Sequence, residues 1–208
     1  MWKNAFYRSR LQAGGVSSPE DVKSLDDLAR LPFYTKEDFR EAYPLKMNCV
    51  ERRDLLEFHM SSGSTGTPVV MAYTKNDLNQ WAECMARCYT MAGLHKGDAF
   101  QIMPTFGLFN GGFGCYHGCR KAGLFCVPAS SGNTERQIRL MRDFRVRGFC
   151  SVVSYVPRLI EKLDAEQGGD HDIPSIRVGI FGSETFSDEM RRKIEKRLHI
   201  ECFDIYGM

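Results

Sequence analysis

The sequence has little net charge and no apolar stretch long enough to span a bilayer. Its 28 basic and 26 acidic residues leave a formal charge of +2, whereas nucleic-acid binding usually needs a clustered basic field. The first residues are polar and aromatic, unlike the apolar core of a signal peptide. We therefore expect a cytoplasmic protein with no membrane or nucleic-acid partner. Its 208 residues, 43% of them hydrophobic, suffice for a buried core.

Closely spaced cysteine pairs of the kind found in structural zinc sites are missing. The eight cysteines include two pairs spaced by one helical turn, Cys84 with Cys88 and Cys115 with Cys119. Neither pair has the tight two-residue spacing common in zinc sites. We expect reduced thiols that act as small buried hydrophobic side chains, and we assign no metal ligand.

The chain also lacks the Gly-Lys-Ser/Thr ending of a Walker A loop. Small residues and hydroxyls are nevertheless concentrated at 61–68, between two apolar and partly β-branched runs at 55–60 and 69–73. Such a loop between two strands can point backbone N–H groups and hydroxyls into one concavity that binds phosphate. A Gly/Ser-rich hairpin tip without a ligand is an equally good interpretation of this segment alone.

Strand-like and helix-like stretches alternate from residue 58 onward, a pattern typical of an α/β fold. We expect parallel-sheet layers with flanking helices at 58–208, preceded by a helical and loop segment at 1–57. Thr134 and Gln137 predict the start of an arginine-bearing helix with a solvated basic face. Ligands of open parallel sheets gather beyond the carboxyl ends of the strands. Those ends carry residues 105–112, 154–155, 182–185 and 206–207, which predicts one small-molecule site.

Five motifs in order resemble those of the phenylacetate–coenzyme A ligases, which belong to the acyl-adenylate-forming superfamily. They are Ser-Ser-Gly-Ser-Thr-Gly-Thr-Pro at 61–68, Phe-Gly-Leu-Phe-Asn-Gly-Gly at 106–112, Gly-Asn-Thr-Glu-Arg-Gln at 132–137, Gly-Ser-Glu-Thr at 182–185, and Asp-Ile-Tyr-Gly-Met at 204–208. The resemblance implies that the chain is the N-terminal part of the large domain of an adenylate-forming enzyme.

The resemblance also implies an activity and its cofactors. A carboxylate, phenylacetate or a related aryl acid, attacks the α-phosphate of ATP to give an acyl-adenylate and pyrophosphate, and coenzyme A sulfur then displaces AMP. ATP, Mg²⁺ and coenzyme A are the implied cofactors and co-substrates. The alternatives are a related adenylyltransferase of the coenzyme F390 synthetase type and a non-catalytic nucleotide-binding fragment.

Site residues follow from matching the motifs position by position. The ATP phosphates are assigned to Ser61, Ser62, Gly63, Ser64, Thr65 and Gly66. Adenine and ribose are assigned to Gly182, Ser183, Glu184, Thr185, Asp204, Tyr206 and Gly207, and the acyl pocket to Phe106, Phe109, Gly111 and Tyr155. For each aromatic residue, ordinary core packing is the competing interpretation, and for Glu184 it is a solvated acid at a helix start.

The resemblance covers only about half of a full family member. The threonine, the magnesium-binding glutamate and the adenylation lysine of the family would follow Met208. We therefore expect no catalytic residue among these 208 residues, little ligation by the chain alone, and as partners small-molecule substrates and either a second copy or a complementing C-terminal half. Phe106 stands where a tyrosine is usual, which favours a more apolar acid.

Overall fold

A computed structural model describes residues 1–61, 66–166 and 172–207. The chain divides into two units, Met1–Asp77 and Leu78–Met208. The division at residue 58 expected from the sequence is a different cut, and it stays a prediction. Within the described ranges, none of the helices combines the length and the apolar character that a membrane crossing needs.

The first unit contains short helices and one strand pair. Its helices α1 (Ala5–Ala13) and α2 (Lys36–Glu41) are accompanied by short 3-10 turns at Pro19–Asp21, Leu25–Arg30 and Arg52–Asp54. Thr35 caps the N-terminus of α2. The Asp38 carboxylate accepts hydrogen bonds from the Thr35 N–H at 2.7 Å and from Arg10 Nη2 at 2.7 Å. These bonds, the backbone N–H first, lower the pKa of Asp38. Thr35 and Asp38 thus form a capping box at the start of α2.

Strands β1 (Leu55–Met60) and β2 (Val70–Thr74) pair antiparallel, with Phe58 opposite Ala72. The base of their connection is closed by two hydrogen bonds, from the Ser61 N–H to the Val69 carbonyl at 3.0 Å and from the Val69 N–H to Ser61 Oγ at 2.9 Å. The strand–loop–strand arrangement predicted from the apolar runs is therefore confirmed.

The second unit is built on five parallel strands in the order β4-β3-β5-β6-β7. The strands are β3 (Ala99–Ile102), β4 (Phe125–Val127), β5 (Gly148–Ser151), β6 (Val178–Gly182) and β7 (Glu201–Ile205). The helices are α3 (Lys75–Met91), most of which belongs to this unit, α4 (Asn110–Ala122), α5 (Thr134–Asp143), α6 (Val156–Asp164) and α7 (Asp188–Leu198). The predicted α/β fold with flanking helices is confirmed.

Apolar side chains pack on both faces of this sheet. On β3, Phe100 and Ile102 belong to a cluster with residues of α3 and α4, whereas Ala99 belongs to a cluster with residues of α5, α6 and α7. Successive side chains of a strand point to opposite faces, so these clusters are the two core layers. Strands β3 and β5 are buried at every residue, as expected for a parallel sheet covered on both sides.

The start of α5 differs in part from the sequence-based expectation. Helix α5 begins at Thr134 as predicted, but Asn133 caps it by accepting a hydrogen bond from the Arg136 N–H at 3.1 Å, and Gln137 points into the core. In α6, Pro157 lies in the first turn. Proline is tolerated in that turn because its missing N–H would have no intrahelical partner there.

Helices α3 and α4 approach each other through glycine. A Cβ added at Gly118 would lie 2.3 Å from Met85 Cβ and 2.9 Å from the Tyr89 ring, and one at Gly114 would lie 2.4 Å from the Trp81 ring. The Tyr89 hydroxyl donates a hydrogen bond to the Cys115 carbonyl at 2.9 Å. Helices α3 and α4 can therefore pack this closely only because Gly114 and Gly118 have no side chains.

The substitution Gly118→Ala should lower the free energy of unfolding by about 1–3 kcal/mol, because the added methyl group overpacks a closed interface. Gly107→Ala is the matched control, since a Cβ there meets nothing within 4 Å. Urea titration of both variants measures the difference. An unfolding midpoint for Gly118→Ala equal to that of Gly107→Ala would contradict the packing described here.

The cysteines are only partly the buried hydrophobic side chains expected from the sequence. Four are buried, at positions 115, 119, 150 and 202, two are intermediate, at 88 and 126, and all eight are free thiols. Cys49 and Cys84 are exposed, so the expectation was wrong for these two. Burial, with a smaller contribution from Glu195, raises the pKa of Cys202 to about 12.

Thiol reagents should therefore discriminate between these cysteines. At pH 8, below the pKa of Cys202, its thiol stays protonated and unreactive, because the thiolate is the nucleophile. We expect iodoacetamide to label Cys49 and Cys84 in the native chain and Cys202 only after unfolding, as read by peptide mass spectrometry. Native labelling of Cys202 at the rate of Cys84 would contradict its burial.

Candidate functional site

The loops that follow the strands of the second unit emerge at one edge of the sheet, because all five strands run in the same direction. They comprise residues 103–109 after β3, 128–133 after β4, 152–155 after β5, 183–187 after β6 and 206–207 after β7. Most of the residues assigned to ligands from the sequence lie in these loops or at the strand ends that precede them. We call this set of loops the carboxyl edge.

Two hydrogen bonds join the loops after β3 and β4, one between side chains and one from a backbone N–H to a side chain. Thr105 Oγ1 donates to Ser131 Oγ at 2.8 Å, and the Phe106 N–H lies 3.4 Å from Ser130 Oγ as its acceptor. Ser130 itself adopts a left-handed conformation with φ of 59°. The position of Phe106 is thus tied to the neighbouring loop.

A carboxylate joins the loops after β5 and β6. Glu184 accepts the Ser154 N–H at 3.0 Å through Oε2 and the Ser154 hydroxyl at 2.9 Å through Oε1. Glu184 is exposed, as its competing interpretation expects, but it does not lie at the helix start, because Ser187 caps α7 and Asp188 and Glu189 are its first-turn acids. Glu184 is instead a bridge between two loops of the carboxyl edge.

The residues around Glu184 have restricted backbones. Ser183 is left-handed, with φ of 68°. A Cβ at Gly182 would lie 3.1 Å from the Ile205 side chain and 3.3 Å from its carbonyl oxygen, so glycine permits close pairing of β6 with the end of β7. Beyond β7, the Tyr206 side chain is 89% exposed. The ends of β6 and β7 therefore combine an exposed side chain, that of Tyr206, with closely paired backbones.

The four residues assigned to an acyl pocket fall into two groups. Phe106 packs with the α3–α4 layer, and Phe109 and Gly111 adjoin each other at the start of α4, where a Cβ at Gly111 would lie 3.2 Å from the Phe109 ring. Tyr155 packs with the other layer, and its hydroxyl donates to Thr134 Oγ1 at 3.0 Å. Phe106 and Tyr155 thus pack against different core layers.

Two aromatic side chains that the sequence interpretation did not single out surround Phe106. The ring of Phe113 lies 5.4 Å from the Phe106 ring, and that of Tyr116 lies 6.2 Å from it, both edge to face. Both belong to α4, three residues apart, so helical spacing after the predicted loop was the available signal. Phe106, Phe113 and Tyr116 form an aromatic group beside the loop after β3.

The predicted phosphate loop is described only at its two ends. Ser61 makes the hydrogen bonds that close the strand pair, and Gly66 has φ of 129°, which favours glycine. Ser62, Gly63, Ser64 and Thr65 lie outside the described residues. Phosphate binding by this loop therefore stays a prediction.

Within 1–61, 66–166 and 172–207, no group of three or more histidine, cysteine, aspartate or glutamate side chains is placed to hold a metal ion. The two cysteine pairs noted in the sequence do not form such a group. Cys115 and Cys119 are buried in the α3–α4 layer, whereas Cys84 is exposed.

Comparison with known proteins decides the family. Residues 8–208 match the family model described as AMP-binding enzyme. The chain belongs to the AMP-binding enzyme family. Similar curated members include the phenylacetate–coenzyme A ligases of Pseudomonas putida and Escherichia coli K12, each 41% identical over 202 residues, which cover 97% of this chain and 46% of the relative. The phenylacetate–coenzyme A ligase of Thermus thermophilus is 36% identical over 203 residues.

Solved structures of AMP-binding enzymes show the same fold. A 2-hydroxyisobutyryl-CoA ligase crystallised with 2-HIB-AMP and CoA matches with a TM-score of 0.89 and 24% identity, covering 100% of this chain and 46% of that protein. The chain thus spans about half the length of the relatives it matches. The fold expected from the motifs, the N-terminal part of an adenylate-forming enzyme, is confirmed.

The Glu184 bridge of this AMP-binding family member should hold the loop after β5 in place. We expect Glu184→Ala to speed hydrogen exchange of the Ser154 amide about tenfold, because its acceptor is removed, while the core strands keep their protection. Glu189→Ala is the control, since this substitution removes the same charge from a residue that pairs with Lys193 on α7 and not with Ser154. Equal exchange at Ser154 in both variants, measured by NMR, would contradict the bridge.

Proposed function

We propose that this chain is the ATP- and acid-binding part of an enzyme that ligates phenylacetate, or a related aryl acid, to coenzyme A. In the proposed reaction the carboxylate attacks the α-phosphate of ATP, releasing pyrophosphate, and the coenzyme A thiol then displaces AMP from the acyl-adenylate. Similarity over 97% of the chain to relatives named phenylacetate–coenzyme A ligase supports this. Because the chain covers 46% of those relatives, the activity of a whole enzyme is part of the proposal.

The observation that carries the proposal is the linked carboxyl edge. Side-chain hydrogen bonds join the loop after β3 to that after β4, and the loop after β5 to that after β6. Preformed loops at the ends of parallel strands are where ligands of α/β folds bind, and fixed polar groups there need no rearrangement when the ligand arrives. This edge therefore offers polar and aromatic groups on a held backbone.

In the proposed site, the nucleoside lies against residues of β6, β7 and the loops that follow them. Gly182, Ser183, Glu184 and Thr185 border the adenine, and Asp204, Tyr206 and Gly207 border the adenine or ribose. The exposure of Ser183, Glu184 and Tyr206 supports this assignment, because side chains that contact a ligand must be reachable in its absence. Because residue 182 is glycine, the end of β6 can lie close to Ile205 on β7.

The proposed acyl pocket has an aromatic wall. Edge-to-face packing of Phe106 on Phe113 and Tyr116 presents rings to an aryl group, and such ring pairs favour offset or edge-on partners. Phe106 has no hydroxyl, so the wall it forms favours an apolar acid. Phe109, Gly111 and Tyr155 remain in the proposed pocket, Tyr155 from the other face of the sheet.

ATP and coenzyme A are the proposed co-substrates, with Mg²⁺ as the proposed ion. The described residues hold no acidic, histidine or cysteine group that would fit the ion by itself, so no step here is assigned to Mg²⁺. ATP phosphates are proposed for residues 61–66. The proposed setting is the cytoplasm, with small molecules as partners and either a second copy or a C-terminal half completing the enzyme.

The proposal is tested by calorimetric titration of the 208-residue chain with phenylacetyl-sulfamoyl-adenosine, a stable mimic of the acyl-adenylate, and with AMP. We expect the mimic to bind at least about tenfold more tightly than AMP, because its aryl group adds apolar contact area. Glu184→Ala should weaken binding of both ligands, and Glu189→Ala of neither.

Two results would count against this function. Equal affinity for the mimic and for AMP would contradict an acid pocket and would favour a nucleotide-binding module. Absence of binding by either ligand, in a chain that shows its cooperative unfolding transition, would contradict the proposal as a whole.

A further inference from the structure

Two glutamines are buried in the layer between β3 and α5. Gln101 on β3 is 0% exposed and Gln137 on α5 is 1% exposed. Burying a side-chain amide costs free energy unless it is hydrogen bonded. Gln101 Nε2 donates to Gln137 Oε1 at 2.7 Å and to the Gln137 carbonyl at 3.2 Å. The first glutamine thus orients the second.

The orientation of Gln137 decides what its own amide group contacts. Because Gln137 Oε1 accepts from Gln101, its Nε2 is directed the other way, and it donates to the Ser130 carbonyl at 2.6 Å. Arg136, the neighbour of Gln137 in the sequence, holds the residues directly before and after Ser130. Arg136 Nη2 donates to the Ala129 carbonyl at 3.0 Å and to the Ser131 carbonyl at 3.2 Å.

Three successive carbonyls of the loop after β4 are therefore fixed by two adjacent side chains of α5. The Ser130 N–H also donates to the Ile102 carbonyl at 3.0 Å, so this residue is held on both its N–H and its carbonyl. Its left-handed φ of 59° is one that serine rarely adopts, and such a conformation persists where the surroundings determine it. The loop has one defined position as a result.

The same loop contacts the residues next to the proposed acid pocket. Ser130 Oγ accepts from the Phe106 N–H, and Ser131 Oγ accepts from Thr105 Oγ1. A chain of contacts thus runs from buried Gln101 through Gln137 and Ser130 to the backbone of Phe106. Neither glutamine lies in the loops of the carboxyl edge.

We infer that Gln101 and Gln137 are positioning residues that act through Ser130 to set the place of Phe106 and hence the size of aryl group the site accepts. The aryl acid in this inference rests on the proposed function. The hydrogen bonds from Gln101 to Phe106 do not depend on that function. If the relay is broken, the loop after β4 loses a carbonyl partner and the loop after β3 loses its fixed neighbour. Selectivity between acids of different length then falls.

The direct test is Gln137→Met, which keeps the length of the side chain and removes both of its amide contacts. We expect hydrogen exchange of amides 105–107 and 130–132 to speed about tenfold. We also expect the ratio of affinities for phenylacetyl- and benzoyl-sulfamoyl-adenosine to move towards one by about threefold or more, because a well-defined apolar pocket discriminates one methylene by about 10-fold or more and a loosened one discriminates less.

Ile138→Val is the matched control, because Ile138 is the buried neighbour of Gln137 and packs in the same layer without contacting the loop through a polar group. It should lower the stability of the chain and leave both the local exchange and the affinity ratio unchanged. Gln101→Met should have a smaller effect than Gln137→Met, because the Gln137–Ser130 bond remains available.

Ser130→Ala keeps the test decisive if Gln137→Met does not fold. It removes the hydroxyl that accepts from the Phe106 N–H and leaves both glutamines in place, so exchange should speed at 105–107 alone. Equal loop exchange in Gln137→Met and Ile138→Val, or an unchanged affinity ratio in Gln137→Met, would overturn the inference. Failure of the wild-type chain to bind either mimic would refute the proposed function, whereas the exchange rates would still decide whether the glutamines hold the loop.

Discussion

The parallel direction of all five strands in the second unit is the constraint on which the rest of that unit depends. Every connection must cross from the end of one strand to the start of the next, so helices cover both faces and every loop that follows a strand lies at the same edge. Close crossing is possible on one face because α4 presents Gly114 and Gly118 to α3. The position of the carboxyl edge is therefore a consequence of topology and packing, before any ligand is considered.

Topology brings the loops together, but side-chain hydrogen bonds define where each loop lies. The Glu184–Ser154 bridge holds one pair of loops, and the contacts of Ser130 and Ser131 hold another. The first bridge is exposed and the second is backed by a buried amide pair. We therefore expect the half backed by the amide pair to be the more rigid, since a buried amide has no water to replace a lost partner.

Much of the fold could be predicted from the sequence because periodicity reports local structure. The alternation of strands and helices and the start of α5 at Thr134 were recognisable from residue spacing. The roles of Gln137, Pro157 and Tyr155 were not, because each depends on which neighbour the side chain meets in three dimensions. The spacing of Gln137 from Thr134 fits a capping pattern, yet Asn133 caps the helix. The side-chain amide of Gln137 instead makes hydrogen bonds with Gln101 and Ser130.

The same distinction applies to the candidate site. Motif order located Glu184 and Phe106, but their pairing with Ser154 and Ser130 joins loops that are far apart in the sequence, and no local signal predicted it. Pairings between loops of different strands depend on sheet order, which spacing along one chain does not report.

The most direct test of the central claim is an NMR titration of the chain with phenylacetyl-sulfamoyl-adenosine, followed at every assigned backbone amide of the second unit. The account predicts that the largest shifts fall in the loops after β3, β5, β6 and β7. A cavity of about 480 Å³ at the opposite edge of the sheet, lined by residues that include Asp98, Arg147 and Arg177, provides the alternative location. Shifts concentrated around that cavity, with the carboxyl edge unchanged, would contradict the account.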